Sequence, residues 1–258
     1  MDLAGVDLAR TERYGAPGGP LVIALHGAVA NRKTWLPLAR ALSPDYELWC
    51  PDLPGHGARR DESFTLEASL RLVEALVAHA APRRPVLAGD SLGGYVALGA
   101  GARLGERIAG IAAGGCTWSM LGAGGVLARL TDVPPALLER ALGTARCERL
   151  AEALVPRVVD APTAAAIVDA GLRLASRPES LRELARFDLV AAVRAVRVPV
   201  ALVNGRFDWP TRAGEGELLR AARDATLTIA ARSGHGVGIF APEVFAGAIE
   251  SLVARSRN

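Results

Sequence analysis

The sequence has few cysteines, no long apolar run and no cluster of charge, and each of these absences excludes a class of protein. Its three cysteines, Cys50, Cys116 and Cys147, form neither a CxxC pair nor a metal-ligand spacing, so we expect free, reduced thiols and no bound metal. No apolar stretch approaches the ~20 residues that a membrane-spanning helix needs. Residues 1–10 lack the basic start and apolar core of a signal peptide. We therefore expect a cytoplasmic protein with no membrane contact.

The thirty basic residues include no run of four or more, and the densest groups are adjacent pairs such as Arg83 with Arg84. An arginine-rich, solvated surface explains the formal net charge of +3 without an electrostatic stripe for nucleic acid. A nucleic-acid partner is therefore not expected. The sequence leaves homo-oligomer formation open.

The order of apolar runs predicts the fold. Half of the 258 residues are hydrophobic and 22% are charged, which provides a sizeable core and confines expected disorder to the ends. Short apolar runs bounded by Gly, Pro or Asp alternate with segments of helical periodicity, a pattern typical of β-α-β units. Strands are predicted at residues 21–25, 46–50, 86–88, 108–112, 200–203 and 226–229, and helices at 64–79, 92–104, 212–222 and 242–253. We predict an α/β fold with a doubly wound, mostly parallel sheet.

One interval breaks this alternation. Residues 117–187 contain no strand-like run, only helical patches punctuated by prolines. We predict a helical cap inserted between a core domain of residues 1–116 and 188–258. The prolines are Pro134, Pro135, Pro156, Pro162 and Pro178.

A nucleophile motif follows the predicted strand at 86–88. Residues 86–94 read VLAGDSLGG, which places G-x-S-x-G between a strand and a helix. A tight strand-to-helix turn lifts the Ser91 hydroxyl clear of the backbone, and Gly89 and Gly93 permit that turn because side chains there would collide with neighbouring elements. The turn also places Ser91 at a helix N-terminus, where free N–H groups can stabilise an oxyanion.

The surrounding motifs resemble the α/β-hydrolase superfamily, in its serine-nucleophile branch with a helical cap. Residues 24–28 read ALHGA, similar to the family's HG oxyanion loop, and residues 51–57 read PDLPGHG, similar to its D-x-P-G-H-G loop. The resemblance implies that the N–H groups of Ala28 and Leu92 form the oxyanion hole. It also implies that His26 braces its loop and that His56 shapes a turn.

A serine needs a histidine to take its proton and a carboxylate to orient that histidine. His235 lies between the last strand and the last helix, as the family's histidine does, whereas His79 ends a predicted helix and is expected to be solvated. The chain order Ser, Asp, His leaves several carboxylates open. Asp208 is favoured because it follows the strand at 200–203 in NGRFD, which resembles the family's G-x-x-D turn. The other aspartates of suitable order are Asp132, Asp160, Asp169, Asp188 and Asp224.

The sequence constrains the substrate only coarsely. The absence of HGGG disfavours hormone-sensitive-lipase relatives, and serine at position 91 disfavours haloalkane dehalogenases and epoxide hydrolases. We expect hydrolysis of a carboxylic ester, lactone or related acyl bond on a small-molecule substrate without a cofactor. A lyase or cyclase using the same triad, and a ligand receptor of this fold, stay as alternatives. Trp118, Met120 and Trp209 are expected to contact substrate, and Asp90 is treated as structural.

Overall fold

The computed structural model describes residues 10–42 and 44–256. Within these residues the strands are β1 (Thr11–Gly15), β2 (Leu21–Leu25), β3 (Glu47–Pro51), β4 (Val86–Asp90), β5 (Gly110–Gly114), β6 (Val200–Gly205) and β7 (Ala225–Ala230). These seven strands form one sheet in the spatial order β1-β3-β2-β4-β5-β6-β7. β1 is antiparallel to β3, and every other neighbouring pair is parallel. Residues 1–9, residue 43 and the last two residues lie outside the described part. The expectation that residues 1–10 are not a signal peptide falls almost entirely on the first of these segments.

Helices cover both faces of this sheet, which confirms the predicted doubly wound fold. The helices are α1 (Leu36–Ala41), α2 (Leu66–Ala80), α3 (Leu92–Leu104), α4 (Ala123–Leu142), α5 (Thr144–Leu154), α6 (Ala161–Ala170), α7 (Ser176–Leu184), α8 (Leu189–Ala195), α9 (Trp209–Arg212), α10 (Glu215–Ala221), α11 (Val237–Phe240) and α12 (Pro242–Ser256). Helices α2, α3, α8 and α10 lie on one face, and α1, α11 and α12 lie on the other. No helix in the described part of the chain combines the length and the apolarity needed to cross a membrane.

All six predicted strands are present. Five of them are inner strands of the sheet, and inner parallel strands, buried on both faces, read as continuous apolar runs. Every residue of β2, β4 and β5 is buried. The sequence analysis missed β1, which reads TERYG and alternates between buried and more exposed positions. A polar edge strand carries no apolar run, and β1 is recognisable only from its pairing with β3.

Residues 117–187 contain helices α4 to α7 and, among the described residues, no strand. Two of the prolines expected to interrupt helices, Pro134 and Pro135, instead lie inside α4. Much of α4 faces solvent, so water can satisfy the carbonyl groups that lose their N–H partners there. Beyond this interval α8 packs on α3 and returns the chain to the sheet.

Candidate active site

Ser91 occupies a strained turn between β4 and α3. Its φ of 53° and ψ of −119° lie outside the helical and strand regions, and its N–H donates to the Gly114 carbonyl over 2.8 Å. A Cβ added to Gly89 would overlap the backbone of Gly93, and a Cβ added to Gly93 would overlap the backbone of Leu25. The two motif glycines are therefore required by close backbone approach.

Three side chains from three different loops form a hydrogen-bonded chain. His235 Nε2 lies 2.8 Å from Ser91 Oγ, and His235 Nδ1 lies 2.8 Å from Asp208 Oδ2. The side chain of Asp208 is only 7% exposed, whereas that of His235 is 52% exposed. The three residues follow β4, β6 and β7 at the carboxyl edge of the sheet, where open α/β sheets bind ligands. The structure thus brings together the serine, histidine and aspartate that the sequence selected.

The charges around His235 favour its protonated form. Burial alone lowers its pKa, but the hydrogen bond to Asp208 and the charges of Asp90 and Asp208 outweigh burial and raise the pKa above 6.5. Burial would raise the pKa of Asp208, yet the hydrogen bonds from His235 and Thr211 lower it below 3.8. In the neutral imidazole, the ionised Asp208 accepts from Nδ1–H, so that Nε2 is the unprotonated nitrogen that faces Ser91.

A buried polar network holds the turn that carries Asp208. Asn204, at the end of β6, donates to Thr117 Oγ1 over 2.8 Å and accepts from the Gly115 N–H over 3.2 Å. Thr117 donates to the Thr211 carbonyl over 2.6 Å, and Thr211 Oγ1 donates to the Asp208 carbonyl over 3.0 Å. Sequence analysis missed these supporting residues. The one available signal was a polar amide, Asn204, within an otherwise apolar strand.

The loop after β2 lies against the turn that carries Ser91. A Cβ added to Gly27 would lie 3.4 Å from Ser91 Cβ, and Ala28 and Leu92 line the same cavity as Ser91. Leu92 is the first residue of α3, and the first N–H groups of a helix have no intrahelical acceptor. The two residues expected to form the oxyanion hole therefore line the same cavity as Ser91.

Val29, the next residue in this loop, adopts a left-handed conformation with φ of 68°. This conformation is unfavourable for a β-branched residue by about 1–2 kcal/mol. Two hydrogen bonds to the segment before and within α7 hold it: the Val29 N–H donates to Ser176 Oγ over 2.9 Å, and the Arg173 N–H donates to the Val29 carbonyl over 3.1 Å. The inserted helices are thereby connected to the loop that carries Ala28.

His26 and His56 are both buried and lie away from the hydrogen-bonded chain. His26 Nδ1 donates to the Gly27 carbonyl over 2.9 Å, and its Nε2 accepts from the Leu53 N–H over 3.0 Å. Both ring nitrogens are therefore engaged in bracing loops, and burial lowers the pKa of His26. His56 Nδ1 donates to the Pro54 carbonyl over 2.9 Å, and burial lowers the pKa of His56 to about 3.

Asp90, for which the sequence suggested no specific role, lies beneath the loop of His235. Its Oδ2 accepts from the Gly238 N–H over 3.2 Å, and its Oδ1 has no hydrogen-bond partner among the described residues. Burial raises the pKa of Asp90, and the carboxylate in turn raises the pKa of His235. Asp90 thus combines an anchor for the loop with a charge that acts on the histidine.

A cavity of about 440 Å³ opens over Ser91 between the sheet edge and α7. Trp118 and Met120, two of the three residues expected to contact substrate, line it. Trp209 does not, because it begins α9 with its side chain turned outward and 77% exposed, while the next residue, Pro210, contributes to the wall. Four cavity residues that sequence analysis missed, Arg177, Ser180, Leu181 and Leu184, come from α7.

The cysteines and potential metal ligands do not contribute to this geometry. Cys50, Cys116 and Cys147 are free and buried, and burial raises the pKa of Cys50 and of Cys116. Within the described residues, His, Cys, Asp and Glu side chains form no group of three suited to a metal ion.

The strand-turn-helix geometry around Ser91 and the order of the site residues are those of one protein class. Residues 22–248 match the model of the alpha/beta hydrolase family. Because this match covers most of the chain, the chain belongs to the alpha/beta hydrolase family.

The chain is also similar to individual proteins of more specific names. The chain is 44% identical over 86 residues to the pimeloyl-[acyl-carrier protein] methyl ester esterase of Xanthomonas oryzae pv. oryzae, a match that spans 33% of each protein. It is 28% identical over 245 residues to the Nitrosomonas europaea protein of the same name, covering 91% of this chain and 96% of that one. The crystal structure of the enol-lactonase from Burkholderia xenovorans LB400 has the same fold, with a TM-score of 0.73 and 21% identity over 95% of each chain.

Proposed function

We propose that this chain is a serine hydrolase that cleaves a carboxylic ester, or the internal ester of a lactone, through an acyl-enzyme at Ser91. The observation that carries the proposal is the pair of 2.8 Å hydrogen bonds linking Ser91 to His235 and His235 to Asp208. A serine hydroxyl is a weak nucleophile until an adjacent base takes its proton, and this geometry provides that base.

In the first half of the reaction, Ser91 Oγ attacks the ester carbonyl carbon while its proton moves to His235 Nε2. The carbonyl oxygen becomes an oxyanion that the N–H groups of Ala28 and Leu92 stabilise. The carbon–alkoxy bond then breaks, and His235 Nε2–H gives its proton to the departing alkoxy oxygen. Asp208 keeps Nδ1 protonated and stabilises the imidazolium that forms in between.

In the second half, water replaces the alcohol. His235 Nε2 takes a proton from water as the water oxygen attacks the acyl carbon, and the same N–H groups bind the new oxyanion. The bond to Ser91 Oγ breaks, Oγ recovers a proton from His235, and the carboxylic acid leaves. The same residues therefore serve both halves without a cofactor.

We also propose that residues 117–187 form a cap that selects the acyl group. Trp118, Met120, Leu181 and Leu184 from this interval supply an apolar wall to the cavity over Ser91. The relatives whose name is methyl ester esterase suggest a narrower substrate class, the methyl esters of extended acyl chains. A mostly apolar cavity of about 440 Å³ favours such a chain over a compact polar acid.

Labelling and turnover together test the proposal. A fluorophosphonate probe should label Ser91, and p-nitrophenyl butyrate should give a burst of nitrophenol before steady turnover. Ser91→Ala should abolish labelling and lower kcat by about 10³-fold or more. Ser180→Ala is the control. It removes a hydroxyl that lines the same cavity but has no histidine partner in the described site, and this variant should retain the label.

Two results would contradict ester hydrolysis. Labelling of Ser91 without turnover of any ester would favour a lyase, a cyclase or a ligand receptor of this fold. Full turnover by purified Ser91→Ala protein would remove the serine from the mechanism. The cytoplasmic location and homo-oligomer formation stay predictions.

A further inference from the structure

Two cavities share the hydroxyl of Ser91 as part of their walls. Ala28, Ser91 and His235 line both the cavity of about 440 Å³ beneath α7 and a second cavity of about 200 Å³. The second cavity extends toward α11 and the loop after β2, away from the inserted helices. The mechanism described above does not assign it a role.

The walls of the two cavities differ in origin. The larger one is bounded by α7 and the segment after β5, including Trp118 and Leu181. The smaller one is bounded by Thr34, Trp35 and α11, which follows His235 and contributes Ile239 and Phe240. Trp35 is rigidly placed, because it is buried and stacks on Phe245 at 5.9 Å between ring centroids.

An ester carbonyl carbon carries three substituents that diverge in one plane. If the N–H groups of Ala28 and Leu92 hold the oxygen while Ser91 attacks, the acyl and alkoxy groups must point in different directions. Two cavities that share Ser91 and His235 meet this requirement, because each can hold one group while His235 stays within reach of the alkoxy oxygen.

Size and access decide which group enters which cavity. A volume of about 200 Å³ is below the range of ~300–1,000 Å³ usual for drug-sized ligands, so it accepts only a small group. Ile239 and Phe240 also line an outer surface groove with Pro37 and Val158, so these two side chains lie between the smaller cavity and that groove. An alcohol leaving on this side, and the water replacing it, need not pass an acyl chain that fills the larger cavity.

We propose that the smaller cavity is the alcohol subsite: it receives the alkoxy group of a short-chain ester, and Ile239 and Phe240 set the largest alcohol accepted. This inference rests on the proposed ester hydrolysis. It assigns the acyl group to the larger cavity beneath α7.

A crossed pair of variants tests the assignment. Ile239→Ala and Leu181→Ala each truncate one half-buried aliphatic side chain, one in each cavity. The substrates are methyl, ethyl, propyl and butyl hexanoate, which vary the alcohol, and methyl acetate, butyrate, hexanoate and octanoate, which vary the acyl group. Ile239→Ala should raise the butyl-to-methyl ratio of kcat/KM by about 10-fold or more and leave the acyl preference unchanged. Leu181→Ala should change the acyl preference and leave the alcohol preference unchanged.

Phe240→Ala provides a second variant that preserves the core, since the Phe240 side chain is 48% exposed, and it should shift the alcohol ratio in the same direction. Correctly folded Ile239→Ala and Phe240→Ala proteins with the wild-type alcohol ratio would overturn the proposal, as would a shift of acyl preference in place of alcohol preference. These failures differ from failure of the proposed function. In that case the wild-type protein itself would hydrolyse none of the esters.

Discussion

The backbone N–H of Val29 donates a hydrogen bond to the Oγ of Ser176 over 2.9 Å, although 147 positions separate the two residues in the sequence. Val29 directly follows Ala28, which is the expected oxyanion donor, and Ser176 begins α7. The hydroxyl also donates to the Arg173 carbonyl over 2.6 Å, so its orientation is constrained at both ends. The start of α7 therefore contacts the loop that carries the expected oxyanion donor.

Ser176→Ala should lower kcat by roughly 10-fold, with a smaller change in KM, because a displaced oxyanion donor weakens transition-state binding more than substrate binding. Steady-state kinetics on a p-nitrophenyl ester series measures both constants. Ser69→Ala is the matched control, because it removes another buried helical serine hydroxyl, on α2, and should leave kcat unchanged. Equal kinetics for the two variants would show that the Ser176 hydroxyl does not position the loop.

The pH profile should report His235. Neutral Nε2 is the base, and the pKa of His235 is raised, so kcat/KM should fall with decreasing pH along a limb centred above 6.5. Asp208→Asn removes the hydrogen-bonded charge, and it should lower kcat and move this limb to lower pH. Measurement of kcat/KM from pH 5 to 9 tests both points. A limb that Asp208→Asn leaves in place would assign the titration to another group.

Asp90→Asn should separate the charge of Asp90 from its role as an anchor. Asparagine can still accept from the Gly238 N–H, but without the buried charge the pKa of His235 and the acid limb of kcat/KM should both decrease. Because the pKa of Asp90 is raised in the folded protein, its contribution to stability declines as pH rises above 3.8, and the variant should unfold at an equal or higher temperature at pH 7.

The control for this prediction is Asp188→Asn, which removes an exposed carboxylate at the start of α8 and should leave the pH profile unchanged. An Asp90→Asn enzyme with the wild-type limb and a lower unfolding temperature would make Asp90 a purely structural residue. Thermal unfolding followed by circular dichroism gives the second measurement.

Thiol reagents should not affect the reaction. Cys116 is fully buried behind the nucleophile helix, and burial together with the charges of Asp90 and Asp208 raises its pKa, which keeps it as the unreactive thiol. Native protein treated with iodoacetamide should retain activity, while the unfolded protein should take up label at all three cysteines. Stoichiometric inactivation on labelling Cys116, absent in Cys116→Ser, would contradict this.

Local sequence predicted much of the site because some of its constraints are local. The turn at Ser91 requires small residues on either side, so Gly89 and Gly93 mark it in the sequence. Asp208 and His235 follow predicted strands, and parallel strands place their carboxyl ends at one edge of the sheet. Chain order alone left several aspartates open, and the resemblance of residues 204–208 to the family's G-x-x-D turn favoured Asp208.

Other features depended on contacts that no local pattern describes. Trp209 and Pro210 are neighbours, yet only Pro210 reaches the cavity, because the orientation of α9 turns Trp209 to solvent. The effect of Asp90 on His235 likewise depends on how the loop at Gly238 folds back over β4.

The sequence by itself therefore determined the α/β core and the strand-to-helix turn at Ser91, since apolar runs and turn glycines act within a few residues of the chain. The choice of His235 and Asp208 depended in addition on the resemblance to a known family. Only the tertiary structure decided the support of Val29 by Ser176, the edge strand β1 and the division of the space around Ser91 into two cavities. Each of these results from packing between segments far apart in sequence, whose relative placement residue periodicity does not specify.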